Sequence, residues 1–175
     1  PSVGFENKNI DHFMIEEVPI GETVEILARV IDVNDVYDGF YLLQDDSSSI
    51  RIKSDGLVLE RGKSYLFLGS AKQLSRYDEF SAISFINSDT EFNEILLDIY
   101  QINDQYLDMR VCVSGAIVEV NDSWLELVDK EGDSIKVQLN EVSNADINKL
   151  VDVCGIVKLV RGKYDLIATS NDISY

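Results

Sequence analysis

The feature that most constrains the fold of this chain is an internal repeat. Residues 24–35 (VEILARVIDVND) and 111–122 (VCVSGAIVEVND) both alternate apolar and polar positions, and both end in Val-Asn-Asp. Two further pairs of segments correspond in the same order: 40–55 with 124–139, and 65–84 with 151–170. Matching positions at so many offsets in 175 residues predict one small domain that occurs twice.

Each copy is predicted to contain five strands, because apolar residues alternate and turn-forming residues separate the runs. The small residues Ala28 and Gly115, in the middle of the two long first strands, indicate a bulge or sharp bend. Such a bend lets one strand serve both sides of a small barrel. In the second copy, 144–150 has the spacing of a helix, whereas the first copy has a loop there. The predicted strands are 22–34, 39–45, 49–54, 64–74 and 77–86, then 109–120, 123–129, 133–139, 151–160 and 163–170.

Five strands with a helix or loop between the third and fourth are the layout of the OB-fold, a Greek-key barrel. Segment 19–33 (PIGETVEILARVIDV), the hairpin LLQDDSSSIRIKS and the turn RGKYDL at 161–166 resemble OB-fold nucleic-acid-binding families, especially replication protein A and related single-strand binders. The resemblance implies an all-β chain with one linking helix and two tandem five-stranded OB-fold-like barrels. The predicted parts are an N-terminal extension (1–20), a first barrel (21–88), a linker (89–106) and a second barrel (107–175).

The linker is predicted to be an amphipathic helix, because apolar residues recur in it at helical spacing. This apolar stripe could pack against one or both barrels. Alternatively, it could bind partner subunits, as the helix after the barrel does in the replication protein A assemblies that the chain resembles. The predicted partner-binding residues are Phe92, Ile95, Leu96 and Ile99.

The charge balance excludes one class of nucleic-acid binder. The chain has 15 Lys and Arg against 32 Asp and Glu, a formal net charge of −17. A uniformly basic surface that coats duplex DNA or an anionic membrane is therefore excluded, since such binding rests on Lys and Arg. A narrow cationic groove remains compatible, because 1–20 and 87–106 together contribute −8 of the total.

Nucleic-acid binding is predicted on the outward side of the second and third strands and at the turn between the fourth and fifth. Alternation leaves Phe40 and Trp124 facing outward at matching positions, although contact with the other barrel, the linker or a partner protein would also explain them. Cations beside aromatic rings supply charge for the backbone and flat surfaces for bases. The predicted binding residues are Phe40, Arg51, Lys53, Lys72, Arg76 and Tyr77 in the first copy, and Trp124, Lys136, Lys158, Arg161, Lys163 and Tyr164 in the second.

The sequence contains no arrangement typical of catalysis, such as a Gly-rich phosphate loop or a nucleophile in a Gly-flanked turn. The Asp45-Asp46 pair is expected to stabilise a hairpin turn. Neither an enzymatic activity nor a metal or cofactor is predicted. Cys112 and Cys154 fall on strands that pair in an OB-fold, on the side opposite the core valines. Reduced thiols are expected, with a cross-strand disulfide as the alternative.

The predicted function is binding of single-stranded DNA or RNA in replication, repair or telomere maintenance. The alternative is an assembly subunit that holds other proteins of such a complex and contacts nucleic acid weakly or never. No run of residues is apolar enough to span a membrane, and the start PSVGFENKN lacks the features of a signal peptide. The chain is therefore expected inside the cell, in the cytoplasm or, in a eukaryote, the nucleus.

Overall fold

The computed structural model describes residues 10–33, 39–74, 77–142 and 145–175. The chain divides into two compact units, Pro1–Phe92 and Asn93–Tyr175. The first unit contains β1 (His12–Phe13), β2 (Thr23–Val33), β3 (Phe40–Gln44), β4 (Ser49–Lys53), β5 (Ser64–Gln73) and β6 (Asp78–Ser88). The second contains β7 (Arg110–Val120), β8 (Trp124–Val128), β9 (Ser134–Leu139), β10 (Leu150–Val160), β11 (Lys163–Ala168) and β12 (Ile173–Ser174). Within the described residues, short 3-10 helices lie at Ile15–Glu17, Ile99–Gln101, Asp104–Tyr106 and Ser170–Asp172.

Each unit contains a closed five-stranded barrel. In the first, the neighbours run β2, β3, β4, β6, β5, and β5 pairs again with β2. In the second, the order is β7, β8, β9, β11, β10, and β10 pairs again with β7. The two orders are the same and match the OB-fold. The predicted fold of two tandem five-stranded barrels is therefore confirmed.

Closure depends on the long first strand of each barrel, which pairs with two different neighbours. β2 pairs with β5 up to Arg29 and with β3 from Arg29 onward, and the register shifts beside Ile31. β7 changes partner in the same way at Ala116, with a shift beside Val118. The predicted bend is present, three residues beyond the small residues that indicated it. Gly115 has a second role, because a Cβ there would lie 2.9 Å from the carbonyl oxygen of Val128.

The inward positions of the strands form a separate apolar core in each unit. Ile26, Phe67 and Phe80 are completely buried in the first core. Val111 and Leu125 are completely buried in the second. Each such side chain contributes about 1.5–3 kcal/mol when it is removed from water, so the alternating pattern accounts for the barrels.

A short segment, which we call the strap, precedes each barrel and packs against it. The first strap is 11–18 and the second is 95–102. In the first, β1 runs parallel to β2; in the second, Leu96 forms a parallel bridge with Cys112. Each strap then makes one turn of 3-10 helix that begins with a buried isoleucine, Ile15 or Ile99. The repeat therefore includes the strap as well as the barrel.

The predicted linker helix is wrong, because the second strap occupies this part of the chain. Between β6 and β7 the structure has extended chain and two 3-10 turns of three residues each. Ile99 and Ile102 are buried in the core of the second barrel. The backbone of Cys112 donates to Ile95 and accepts from Leu97, which keeps the strap extended. The apolar residues of the second strap therefore make strand-like contacts first and then lie in a tight turn.

The helix predicted at 144–150 is also wrong over the residues that the structure describes there, 145–150. Asn148 has a φ of 70°, in the left-handed region, so the chain turns instead of continuing a helix. β10 already begins at Leu150. Residue 144, the predicted helix start, lies outside the described residues. Over the described part of the chain, we find no helix with both the length and the apolar character needed to cross a membrane.

Cys112 and Cys154 lie directly opposite each other on β7 and β10 and form a disulfide, with a Cα–Cα distance of 4.0 Å. Their predicted proximity is confirmed, but the expected reduced thiols are wrong. The predicted side is right, because Val111 and Val153 belong to the core and the two cysteines do not. The partnership depends on the strand register, which puts the two residues in one cross-strand pair.

One carboxylate ties each strap to its barrel; it is buried in the first unit and half-buried in the second. Asp45, at the turn between β3 and β4, accepts from the backbone N–H groups of Ser47 at 2.8 Å and Ser48 at 3.0 Å. Its other oxygen accepts from the N–H of Ile15 at 2.7 Å. Asp129 does the same in the second unit, where it accepts from Ile99 at 3.3 Å. The predicted turn role of Asp45 thus extends to fixing the strap.

Replacement of this carboxylate should destabilise the first unit. Asp45→Ala would leave the N–H of Ile15 and two turn N–H groups without their acceptor, so we expect a loss of about 2–4 kcal/mol. Asp46→Ala is the matched control, since Asp46 is exposed, and should change stability by less than about 0.5 kcal/mol. Urea unfolding followed by circular dichroism measures both. Equal midpoints for the two variants would contradict this role.

Candidate nucleic-acid interface

The second unit has a cleft of about 740 Å³ on the outer side of β8, β9 and β11. Five of the six binding residues predicted for this barrel lie along it, and the strap residues Ile99 and Ile102 also line it. The five are Trp124, Lys136, Arg161, Lys163 and Tyr164. The cleft therefore brings together residues from three strands and the β10–β11 turn.

The ring of Trp124 supplies the flat aromatic surface of this cleft. It is half-buried at the start of β8, and the ammonium nitrogen of Lys136 lies 4.3 Å from its ring centroid. This is a cation–π contact, in which the ring face attracts the positive charge. Lys136 also stands opposite Glu126 in the β8–β9 ladder. The flexible side chain of Lys136 therefore already covers one face of the Trp124 ring.

The turn between β10 and β11 presents two exposed cations of the cleft. Val160 pairs with Lys163, so the turn consists of Arg161 and Gly162 alone. Both have positive φ, 51° and 80°, as a type I′ hairpin turn requires. Arg161 and Lys163 are exposed at the tip. The RGK sequence therefore projects two cations at the mouth of the cleft.

Tyr164 is half-buried, and its hydroxyl donates a hydrogen bond to the carboxylate of Asp104. This bond to Asp104 raises the pKa of the Tyr164 phenol, with smaller contributions in the same direction from burial and from the charge of Asp104. The ring is thereby fixed at the cleft wall.

Lys158 is the predicted residue that the structure places elsewhere. Its ammonium nitrogen lies 2.7 Å from a carboxylate oxygen of Asp108. Asp108 has a φ of 63°, and its backbone N–H donates to the carbonyl of Val157. Lys158 does not line the cleft.

Sequence reasoning missed two buried carboxylates beneath the predicted surface. Asp165 is 6% exposed and accepts from the side-chain amide of Gln138 at 2.8 Å. Glu79, at the equivalent place in the first barrel, is also 6% exposed and lies 3.8 Å from the ammonium nitrogen of Lys53. With 32 acidic residues in the chain, no composition signal distinguishes these two. The available signal was that Asp165 directly follows the predicted Tyr164 and that Glu79 lies two residues after the predicted Tyr77.

The first barrel has a related but more compact cluster. The rings of Phe40 and Tyr77 meet edge to face, with 5.9 Å between centroids. The guanidinium of Arg51 lies 3.9 Å from the centroid of Tyr77. Lys53 stands opposite Phe40 in the ladder. Four of the predicted residues therefore touch or neighbour one another.

The two remaining predicted cations of the first copy differ in what the structure describes. Lys72 is exposed near the end of β5, opposite Glu79. Arg76 lies outside the described residues.

The predicted partner-binding residues do not share one face. Phe92 is half-buried and lines a cleft of the first unit, whereas Ile95 packs against the core of the second. Ile99 is buried beneath the second barrel, so its side chain is not on the surface. Leu96 is 77% exposed.

The fold and the surface clusters define a chain of two OB-fold-like barrels. No protein-family model matches its sequence, and no curated protein does either. Among solved structures, it is similar to the second OB-fold domain of replication protein A from Methanococcus maripaludis, with 18% identity and a TM-score of 0.37 over 47% of this chain and 99% of that one. It is also similar to a replication protein A heterotrimer bound to ssDNA, with 15% identity and a TM-score of 0.44 over 93% of this chain and 50% of that one. The chain is also similar to the S. pombe Stn1–Ten1 complex, with 13% identity and a TM-score of 0.37 over 49% of this chain and 83% of that one.

The Tyr164–Asp104 bond gives the cleft a measurable pH response. Since the folded pKa is raised, the bond stabilises the protein below the ordinary tyrosine pKa of about 10 and is lost as pH rises through the folded value. Asp104→Asn should move the Tyr164 titration back toward the ordinary value. Carbon-13 NMR of labelled tyrosine rings measures this. An unchanged titration in Asp104→Asn would contradict the assignment.

Proposed function

We propose that this chain binds single-stranded nucleic acid through the cleft of the second barrel. The observation that carries the proposal is the convergence there of two aromatic rings and three cations, contributed by β8, β9, β11 and one tight turn. Bases would stack on Trp124, and the backbone phosphates would meet Arg161 and Lys163 at the exposed turn.

The charges that line the cleft predict a modest affinity. Three cations, Lys136, Arg161 and Lys163, face three carboxylates, those of Glu119, Glu126 and Asp165. Phosphates must therefore compete with nearby carboxylates for the same cations. Binding that neutralises two or three phosphates would weaken with salt at a logarithmic slope of about −1.4 to −2.1.

Stacking on Trp124 requires a local rearrangement. Lys136 lies over one face of the ring, so a base on that face must displace the ammonium group. The displaced lysine would remain next to the backbone of the bound strand, where its charge still contributes. The cation–π contact therefore keeps the ring covered until a base replaces the lysine.

The first barrel is proposed as a secondary contact. Its aromatic pair is engaged edge to face, Arg51 covers Tyr77, and Lys53 is paired with the buried Glu79. A strand that binds there must break more existing contacts than one in the second barrel. We propose that the protein acts without catalysis, inside the cell, where replication, repair or telomere maintenance exposes single strands.

A fluorescent single-stranded oligonucleotide of about 16 nucleotides tests the proposal by anisotropy at low and moderate salt. We expect binding that weakens as salt rises, with quenching of Trp124, the single tryptophan. Trp124→Ala should weaken binding roughly tenfold through lost stacking. Arg161→Ala should weaken it and reduce the salt slope by about 0.7. Oligo-dT and oligo-U of equal length compare DNA with RNA.

Matched controls come from exposed residues of the same unit that do not line this cleft. Tyr100→Ala removes an aromatic ring that is 64% exposed, and Lys130→Ala removes an exposed cation. Both should leave the affinity unchanged. Absence of binding at low salt, or equal losses in the controls and the cleft variants, would refute the proposal.

A second candidate function, protein assembly, is favoured by one observation in the same unit. Leu96 and Leu150 are 77% and 73% exposed and flank a groove of about 700 Å³. Its charged lining residues are Glu94, Asp98, Asp129 and Asp152 against Lys130. A second copy of this chain would bring the same negative charges, so we propose a partner segment that carries an apolar side chain between lysines or arginines.

A labelled peptide with two leucines flanked by lysines tests this candidate. We expect salt-sensitive binding that falls several-fold in Leu96→Ser, while Trp124→Ala has no effect. The control peptide replaces the lysines with glutamates. Equal binding of both peptides, or full binding to Leu96→Ser, would rule out the groove as a docking site.

A further inference from the structure

The disulfide occupies a special place in the second barrel. The backbone N–H of Cys112 donates to Ile95 at 2.8 Å, and its carbonyl accepts from Leu97 at 2.9 Å. Both bonds point away from β10, so Cys112 and Cys154 form a non-hydrogen-bonded pair, in which opposite side chains are closest. Their sulfur atoms are therefore held close together by the ladder itself as well as by the S–S bond.

The pair lies on the outer face of the barrel and lines the groove of about 700 Å³. Cys154 is half-buried, and Cys112 is 5% exposed. A small reductant or a metal ion can enter through the groove, which opens to solvent beside the exposed Leu96 and Leu150. The carboxylates along this groove also favour the approach of a cation.

A third ligand group is already in place. A carboxylate oxygen of Glu94 lies 3.7 Å from the sulfur of Cys112. One ligand atom from each of Glu94, Cys112 and Cys154 lies within 4.8 Å of the other two. Among the described residues, no other group of three or more His, Cys, Asp or Glu side chains meets the same criterion.

The carboxylate is oriented by neighbours that are not ligands. The guanidinium of Arg110 lies 3.3 Å from Glu94 and 2.9 Å from Asp172. Asp172 in turn accepts from the backbone and hydroxyl of Thr169. Burial opposes ionisation of Asp172, but the bonds from Thr169 and Arg110 outweigh it and lower its pKa. Outer contacts of this kind fix the orientation of a metal-binding side chain.

We propose that reduction of the Cys112–Cys154 disulfide creates a binding site for Zn²⁺ or a similar thiophilic divalent cation, with Glu94 as the third protein ligand. A dithiol reductant supplies two electrons and two protons, breaks the S–S bond, and is itself oxidised to a disulfide. The cation then displaces both thiol protons and binds two thiolates and one carboxylate. Water completes a tetrahedral shell.

The strand geometry suits this ligand set. Zinc–sulfur bonds of about 2.3 Å at a tetrahedral angle put two sulfurs about 3.8 Å apart. Opposite Cβ atoms in an antiparallel pair are about 4.5–5.5 Å apart, so two thiolates on β7 and β10 can reach one ion without a change of register. Two thiolates select zinc or cadmium over calcium and magnesium, which prefer oxygen ligands. The site is thus gated by oxidation, and it does not depend on nucleic-acid binding.

The test uses the full chain in two redox states. One sample remains oxidised; the other is reduced with a dithiol, freed of reductant under inert gas, and shown to contain two free thiols. Each is titrated with Co²⁺, whose thiolate charge-transfer and d–d bands report tetrahedral sulfur ligation, and Zn²⁺ is added to displace it. We expect one equivalent of Co²⁺ to bind the reduced protein. In the oxidised protein we expect no thiolate bands. Zn²⁺ should raise the melting temperature of the reduced form alone.

Variants separate the ligands from their surroundings. Cys112→Ser should abolish the thiolate bands, and Glu94→Gln should weaken binding at least about tenfold. Glu141→Gln, an exposed carboxylate of the same unit outside this groove, should bind as the unmodified chain does. Circular dichroism verifies that each form is folded.

The proposal would be overturned by the absence of thiolate bands in folded reduced protein, by two protein molecules per ion, or by full affinity in Glu94→Gln. Loss of the second barrel on reduction would overturn it as well, because the ligands would no longer be held together.

Discussion

Closure of each barrel by a single strand with two partners is the constraint on which the rest of this structure depends. β2 and β7 must leave one neighbour and join another within a few residues, at Arg29 and Ala116. A bulge and a close backbone approach at Gly115 make this possible. Closure then fixes which side chains of the second and third strands face outward. The aromatic and cationic clusters follow from that choice of face.

The two units share more than their strands, and the differences between them occur at the candidate site. Both have a strap, a buried isoleucine and a carboxylate that holds the strap to the hairpin turn. Both keep a buried carboxylate on the last barrel strand, but its partner is Lys53 in one and Gln138 in the other. An amide partner leaves no cation committed to Asp165. This difference, together with the exposed Arg161 and Lys163, is why we propose the second cleft as the main binding site.

The ten barrel strands could be predicted from sequence to within two residues at each end, because a half-buried strand must alternate and each turn is marked by Gly, Asp or Ser. The two-residue strands β1 and β12 were not predicted. The conformation of the linker could not be predicted in this way. Ile95, Leu96, Ile99 and Ile102 recur at helical spacing, whereas Ile95, Leu97 and Ile99 alternate as in an extended segment. Only contact with the barrel decides between the two patterns. Comparison with Phe13, Ile15 and Val18, which have the same spacing before the first barrel, would have favoured the strap.

The candidate site likewise has a part that could be predicted from sequence and a part that could not. Outward positions on β8 and β9 follow from alternation, so Trp124 and Lys136 were predictable, and the Arg161–Gly162 turn follows from its residue types. What each cation touches depends on three-dimensional distances, and the structure pairs Lys158 with Asp108 while Arg161 and Lys163 line the cleft. In a chain of net charge −17, a cation held in a short ion pair, as Lys158 is, is less available to phosphate than one exposed at a turn, as Arg161 is. The proposed binding surface therefore depends less on where cations occur in the sequence than on which of them the fold brings to the cleft.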